Sequence, residues 1–305
     1  MLVSSVVGYL ARKLDKRRWI LSKLISFESD HEAQLTTKSL EPKVSIIIPT
    51  RDKAKLLRAC IDSIRKNTNY SNYELVIVDN ASSEPETLHL LAQYESEGAS
   101  ILQYPGTFNY SAICNFAATK ASGEYLCFLN NDTEAVSGNW LSSMVEHASR
   151  SSTGLVGAVL SYPNGSIQHT GIALGYTGIA GHPYRGESKQ ECVPENCFQV
   201  SAVTFACAVI SASKFQEIGT LDVKFPSGFN DVDISIRSSN HDYKNIVCVK
   251  AELVHREAQT RPKSLSLAGF SRALNDVIGI LRKHRTRLRD PFFAAGTYPR
   301  THEES

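Results

Sequence analysis

Five apolar residues, Tyr125-Leu126-Cys127-Phe128-Leu129, run directly into Asn130-Asn131-Asp132. A run of that length after Gly123-Glu124 fits a strand covered on both faces. The sharp change to polar residues marks the strand's carboxyl end. In open α/β sheets, ligands bind in the crevice along that edge. A carboxylate there can hold a hard divalent cation, and amides beside it can bond sugar or ribose hydroxyls. A plain polar turn uses the same residue types, so the rest of the chain must decide between the two.

Two more strands end the same way. Val44-Ser45-Ile46-Ile47-Ile48 is a β-branched run closed by Pro49-Thr50-Arg51-Asp52. Tyr73–Val78 ends at Asp79-Asn80-Ala81-Ser82. Between them Leu56, Leu57, Ile61 and Ile64 recur on one helical face. Pro85 suits the first turn of a second helix, which carries Leu88, Leu91 and Tyr94. Ile101–Tyr104 is a short third strand, and Ser111–Lys120 a further helix. Strands alternating with helices at this spacing predict βαβ units and a parallel sheet. In such a sheet the three polar endings lie along one edge, and that coincidence points to a site.

The residue types narrow the ligand. No G-x-G-x-x-G follows the first strand and no G-K-[ST] loop occurs, so neither a dinucleotide fingerprint nor a P-loop is present. The edge offers acids and amides, which suit base and ribose contacts and a metal-bridged diphosphate. That combination points to a sugar nucleotide. A formal net charge of +2 gives no reason to expect nucleic acid. Seven scattered cysteines, with no second Cys or His pair at zinc-finger spacing near Cys192 and Cys197, fit a reduced compartment. No apolar run reaches the length of a spanning helix.

The remaining segments are less patterned. After Trp140 the periodicity is mixed. Gly171–Gly186 has the composition of a loop region with close backbone approach. Phe205–Ile210 is a further core strand, and Ile246–Val249 a last short one from which Glu252–His255 leads out. Asn230 and Asp231 fit the start of a helix, where capping is the ordinary role. Residues 1–28 predict a basic amphipathic helix, suited to an anionic membrane surface or to the protein's own body, and Ser29–Pro42 a polar linker. Leu265–Arg289 predicts a long basic helix and Asp290–Ser305 a loose tail.

Taken in order, these segments resemble glycosyltransferase family 2, the inverting transferases of GT-A fold, and within it bacterial enzymes of O-antigen and rhamnan-type surface polysaccharides. The resemblance rests on Ser45–Asp52, Val76–Ser82, Phe108–Ser111, Phe128–Thr133, Ile167–Gly171, Phe229–Asp233 and Ala251–His255. It implies an α/β, Rossmann-like and mostly parallel sheet with helices on both faces over residues 43–262. An amphipathic helix and linker over 1–42 precede it, and a helix and tail over 263–305 follow. It implies a nucleotide-sugar site at Pro49, Thr50, Arg51, Asp79, Asn109, Asn130 and Asn131. Asp132 and His255 match the family's metal ligands for Mg2+ or Mn2+, and Asp231 its catalytic base. The implied partners are a nucleotide-diphosphate sugar and a glycan or lipid-linked saccharide acceptor, in the cytoplasm or on the inner face of the plasma membrane. Asn130 departs from the family's first acid, Phe205 stands where a Gly is frequent and is expected to narrow the acceptor pocket, and Arg256 replaces a frequent second His. The stretch after Asp290 is short against the family's usual ending. Those departures keep open a silent sugar-nucleotide-binding or scaffold role.

Overall fold

The computed structural model describes residues 41–256, 267–284 and 290–292. The expected helix over 1–28 and nearly all of the linker lie outside the described residues.

The chain begins with β1 (Val44–Thr50), α1 (Ala54–Lys66), β2 (Tyr73–Asp79), α2 (Pro85–Ser96), β3 (Ser100–Gln103), α3 (Tyr110–Ala118) and β4 (Tyr125–Leu129). There follow β5 (Thr133–Ala135), α4 (Trp140–Ala148), β6 (Thr153–Ser161), β7 (Ile167–His169) and a small hairpin of β8 (Ala173–Leu174) and β9 (Ala180–Gly181). The last elements are α5 (Lys189–Cys192), β10 (Phe198–Val200), β11 (Cys207–Ser211), α6 (Ala212–Glu217), α7 (Asn230–Asn240), β12 (Lys244–His255) and α8 (Leu267–His284). The main sheet runs β10-β12-β6-β11-β4-β1-β2-β3, with β5 paired to β12 and β7 to β6. β1, β2, β3 and β4 are parallel neighbours, β11 runs antiparallel between β4 and β6, and β12 is parallel to β6. The expected mostly parallel α/β sheet is thus present, and the carboxyl ends of β1, β2 and β4 share one edge.

β1 extends two residues beyond the expected Ile48 and includes Pro49. The register shows why a proline is tolerated there. Thr50 O accepts the Asn80 N–H, so Thr50 faces β2 and Pro49, by alternation, faces the β4 side. β4 pairs only as far as Ile47, so the N–H that Pro49 lacks costs no ladder hydrogen bond. β4 itself is walled on both sides, and Cys127, Phe128 and Leu129 are wholly buried.

Several expectations change. Leu88 is 46% exposed and not on the buried face of α2, which Leu90, Leu91 and Tyr94 line. The mixed stretch after Trp140 holds α4 and a nine-residue buried strand, β6. Gly157 lies where that strand meets Val203, and a Cβ there would sit 2.7 Å from the Val203 Cβ. The supposed short strand at Ile246 is one twelve-residue strand, β12, which carries an irregularity between Cys248 and Glu252. Its second half leaves the first register and pairs with β5. Phe205 is buried, its ring 4.9 Å from that of Phe128, so it fills the core and does not narrow an acceptor pocket. Residues 290–292 are not loose: Asp290 accepts the Leu174 N–H and holds them to the β8–β9 hairpin.

Asp233 has a structural task. Its wholly buried carboxylate receives Arg237 Nε at 2.9 Å, Lys283 Nζ at 2.8 Å and His284 Nε2 at 2.7 Å, which fastens α8 onto α7. Burial alone would raise its pKa, but the His284 hydrogen bond and the Arg237 and Lys283 charges hold it at about 2. The folded pKa lies below the ordinary carboxylate value, so the stabilisation is full above about pH 4. It is lost as pH falls through about 2, and amounts to on the order of 2 kcal/mol. We expect Asp233→Asn to remove most of this acid-side slope and to raise hydrogen exchange in α8. An unchanged acid titration of stability would refute the assignment.

Candidate active site

The endings of β1 and β2 are clasped to each other. Asp52 Oδ1 accepts the N–H groups of Ser83 at 2.7 Å and Glu84 at 2.9 Å, and Ser82 Oγ accepts the Asp52 N–H. Chiefly the Glu84 N–H holds the Asp52 carboxyl below its usual range. Both turns are tight enough to put Asp52 (φ 54°) and Ala81 (φ 59°) in the left-handed region. Asp79 is almost fully buried and accepts the Ser82 N–H at 3.0 Å. Arg51 is exposed at the rim and Pro49 half-buried. The ending of β4 joins this clasp through Asn131, whose amide donates to Thr50 Oγ1 at 3.0 Å. Thr50, Asp79 and Asn131 are therefore brought together. Asn131, expected as a ligand group, braces the end of β1 with its amide nitrogen.

The sharpest convergence is between β4 and β12. Pairing with β5 sets His255 opposite Thr133, one residue from Asp132. His255 Nε2 lies 3.0 Å from Asp132 Oδ1 and 3.5 Å from the Asn130 amide nitrogen. On its other side His255 Nδ1 lies 2.7 Å from Gln168 Oε1. A carbonyl oxygen only accepts, so Nδ1 carries the proton and donates to Gln168, which turns Nε2 toward Asp132. Asp132 and His255 are 4% and 8% exposed. This carboxylate oxygen and imidazole nitrogen fit a divalent cation of borderline hardness, and the Asn130 amide offers a third oxygen if rotated.

Gln168 was visible in the sequence only as part of Ile167–Gly171, with no role attached. Its partner lies 87 residues away, and no local pattern signals such a pair. Glu134 is a second residue of this kind. It receives Arg256 Nε at 2.5 Å, while the Arg256 N–H bonds Asp132 O at 2.9 Å. The Arg256 charge is thus engaged by a carboxylate beside the site. Further along, His169 Nε2 accepts N–H groups from Gly171 and Thr204, and its Nδ1 lies 2.9 Å from His182 Nδ1. Burial, with His182 and His255 nearby, pushes the His169 imidazole well below its usual range, so it is neutral.

Asp231 stands at the amino end of α7, next to Phe229, whose φ of 58° makes the turn into the helix. Its Oδ1 accepts the Val232 N–H at 2.9 Å. The segment Val203–Ala206 ties this helix end to the β4 edge. The Val203 N–H meets Ser235 Oγ, Phe205 O accepts from Tyr110 Oη, and Ala206 O accepts the Asn130 N–H. Asn109 caps α3, accepting the Ala112 N–H with Oδ1 while its amide donates to Val223 O at 2.8 Å. The oxygen end of that side chain caps α3, and the nitrogen end holds the Val223–Phe225 segment that leads to α7.

Comparison with known proteins agrees with this architecture. The family model for glycosyl transferase family 2 matches residues 45–219. The O-antigen biosynthesis protein RfbC of Myxococcus xanthus is 37% identical over 225 residues, covering 72% of this chain and 18% of that protein. The chain therefore spans under a fifth of that relative's length. Among solved structures, GalNAc-T7 with UDP, GalNAc and Mn2+ superposes with a TM-score of 0.67 at 17% identity, covering 81% of this chain and 50% of that one. The mannosyltransferase PcManGT from Pyrobaculum calidifontis, in complex with GDP-Man and Mn2+, has a TM-score of 0.59 at 16% identity, covering 93% and 74%. The sheet order, the three clasped strand ends and the family match over more than half the sequence lead to one conclusion: the chain has the GT-A fold and belongs to glycosyltransferase family 2.

Proposed function

We propose that this chain transfers a sugar, with inversion, from a nucleotide-diphosphate sugar to a hydroxyl of a growing glycan or lipid-linked saccharide of a bacterial surface polysaccharide. The observation that carries the proposal is the meeting of Asp132 and His255, 123 residues apart in sequence, on the sheet edge that also holds Thr50 and Asp79. Asp79 and the rim residues Pro49, Thr50 and Arg51 take the nucleoside. Asn130, Asp132 and His255 would hold the Mg2+ or Mn2+, and Asn109 and Asn131 support the walls. At that place the ion would supply positive charge to offset that of the leaving diphosphate. Asp231 takes the proton from the acceptor hydroxyl as general base.

The relative named for O-antigen biosynthesis supports the surface-polysaccharide setting. The solved neighbours carrying UDP or GDP-Man with Mn2+ support the donor and cation classes. Among the described residues no helix is long and apolar enough to cross a membrane. The proposed chemistry places the chain in the cytoplasm, where activated sugars are made, with the basic 1–28 segment as a peripheral membrane contact. The engagement of Arg256 by Glu134 takes away one support for a silent scaffold.

A thermal-shift screen of sugar nucleotides, each with and without Mn2+, tests the reading. A donor at about 100 times its Kd stabilises the native state by about 2.7 kcal/mol. We expect a rise in melting temperature for one donor class, and only with the cation present. No shift with any sugar nucleotide would overturn the proposal.

A further inference from the structure

His147, Cys197 and Cys248 are buried, and their three ligand atoms all lie within 4.8 Å of one another. They come from three separate elements. His147 is in the last turn of α4, Cys197 immediately precedes β10, and Cys248 lies within β12. β10 and β12 pair antiparallel with Phe198 opposite Val247, so the same register sets Cys197 across from Cys248. The cluster stands seven residues before His255 on one strand, on the order of 20 Å from it at the usual rise.

We propose that His147, Cys197 and Cys248 form a second metal site, for a thiolate-preferring d10 cation (Zn2+ or Cu+), distinct from the catalytic edge. Two thiolates and an imidazole are the donor set such ions select. The last turn of a helix, where His147 sits, favours a cation.

Binding needs both sulfurs as thiolates, so it releases the thiol protons, and the ion balances their charge. The ion joins the edge strand β10 and the end of α4 to β12, the strand that delivers His255 to the catalytic edge. A cross-strand disulfide is the competing chemistry for two cysteines so placed, but both are free here and a disulfide would make no use of the buried imidazole beside them.

The full chain, prepared under reducing conditions, is assayed for bound zinc and copper after gel filtration, then reloaded with Co2+ after metal removal. About one Zn2+ or Cu+ per chain is expected to be retained, and the metal assay says which. The Co2+ form is expected to show a thiolate-to-metal charge-transfer band, which the oxygen and nitrogen ligands at Asp132 and His255 cannot produce. Asp132→Ala keeps that band, whereas Cys197→Ser and Cys248→Ser lose it. Circular dichroism checks that those variants fold, and the wild-type spectrum decides the matter without them. Absence of the band in folded wild type, or a Cys197–Cys248 disulfide in the reduced preparation, overturns the proposal. Neither result bears on donor binding, so the sugar-transfer reading stands or falls separately.

Discussion

Replacing Asp231 with Asn is expected to lower turnover by about 10²- to 10⁴-fold, the range for loss of a general base, with donor and cation affinity nearly unchanged. The substitution is close to isosteric. The amide oxygen of Asn can still accept the Val232 N–H that Asp231 Oδ1 accepts now. Ser235 Oγ bonds the backbone carbonyl of residue 231, which the change leaves alone. What disappears is the negative charge, worth about 0.3–1 kcal/mol at a helix amino terminus, and the ability to take a proton. Loss of rate without loss of fold or of donor binding is therefore the signature of a base. Asp233 cannot take over, because Arg237, Lys283 and His284 enclose its carboxylate. With a single base, the acceptor oxygen attacks from the face opposite the departing nucleotide, and the anomeric configuration inverts. The anomeric proton signal of the wild-type product, compared with that of the donor, reads this directly. Retained configuration, or near-normal turnover in Asp231→Asn, would show that the base lies elsewhere.

Chelation of divalent cations, or Asp132→Ala, is expected to abolish measurable transfer. Several kcal/mol of charge stabilisation on the leaving diphosphate corresponds to a loss of about 10³-fold or more. His255→Ala should behave similarly, restored in part by high Mn2+. Gln168 separates a positioning role from a purely structural one. It acts through the His255 ring, so Gln168→Leu should weaken Mn2+ affinity by about 10- to 100-fold while leaving turnover at saturating Mn2+ nearly intact. Gln168→Glu keeps an acceptor for the Nδ1 proton and should keep most of that affinity. Full activity in excess chelator would sink the cation assignment. A Gln168→Leu enzyme slow even at saturating Mn2+ would assign that residue a part other than orienting His255.

The sequence by itself determined the first half of the sheet. β4 is an uninterrupted apolar run, β1 and β2 are apolar but for Ser45 and Glu74, each runs into acids or amides, and burial on both faces favours that composition. Pro85 at the start of α2 is an equally local signal. The common edge followed from the parallel order, and so did the expectation of a site there. Resemblance, not periodicity, carried the roles proposed for Asp132, His255 and Asp231. Only the tertiary structure decided the rest. β6 escaped notice because Gly154 and Gly157 break its apolar run, and those glycines answer to Ser238 and Val203, residues distant in sequence. β12 looked like a short strand because its change of register is set by β5 and β6, not by its own composition. Gln168 with His255, Asp233 with His284, and His147 with Cys197 and Cys248 are further cases. Propensity and capping act over a few residues of chain, whereas hydrogen bonds and ligand sets form wherever the sheet register brings side chains within about 3 Å.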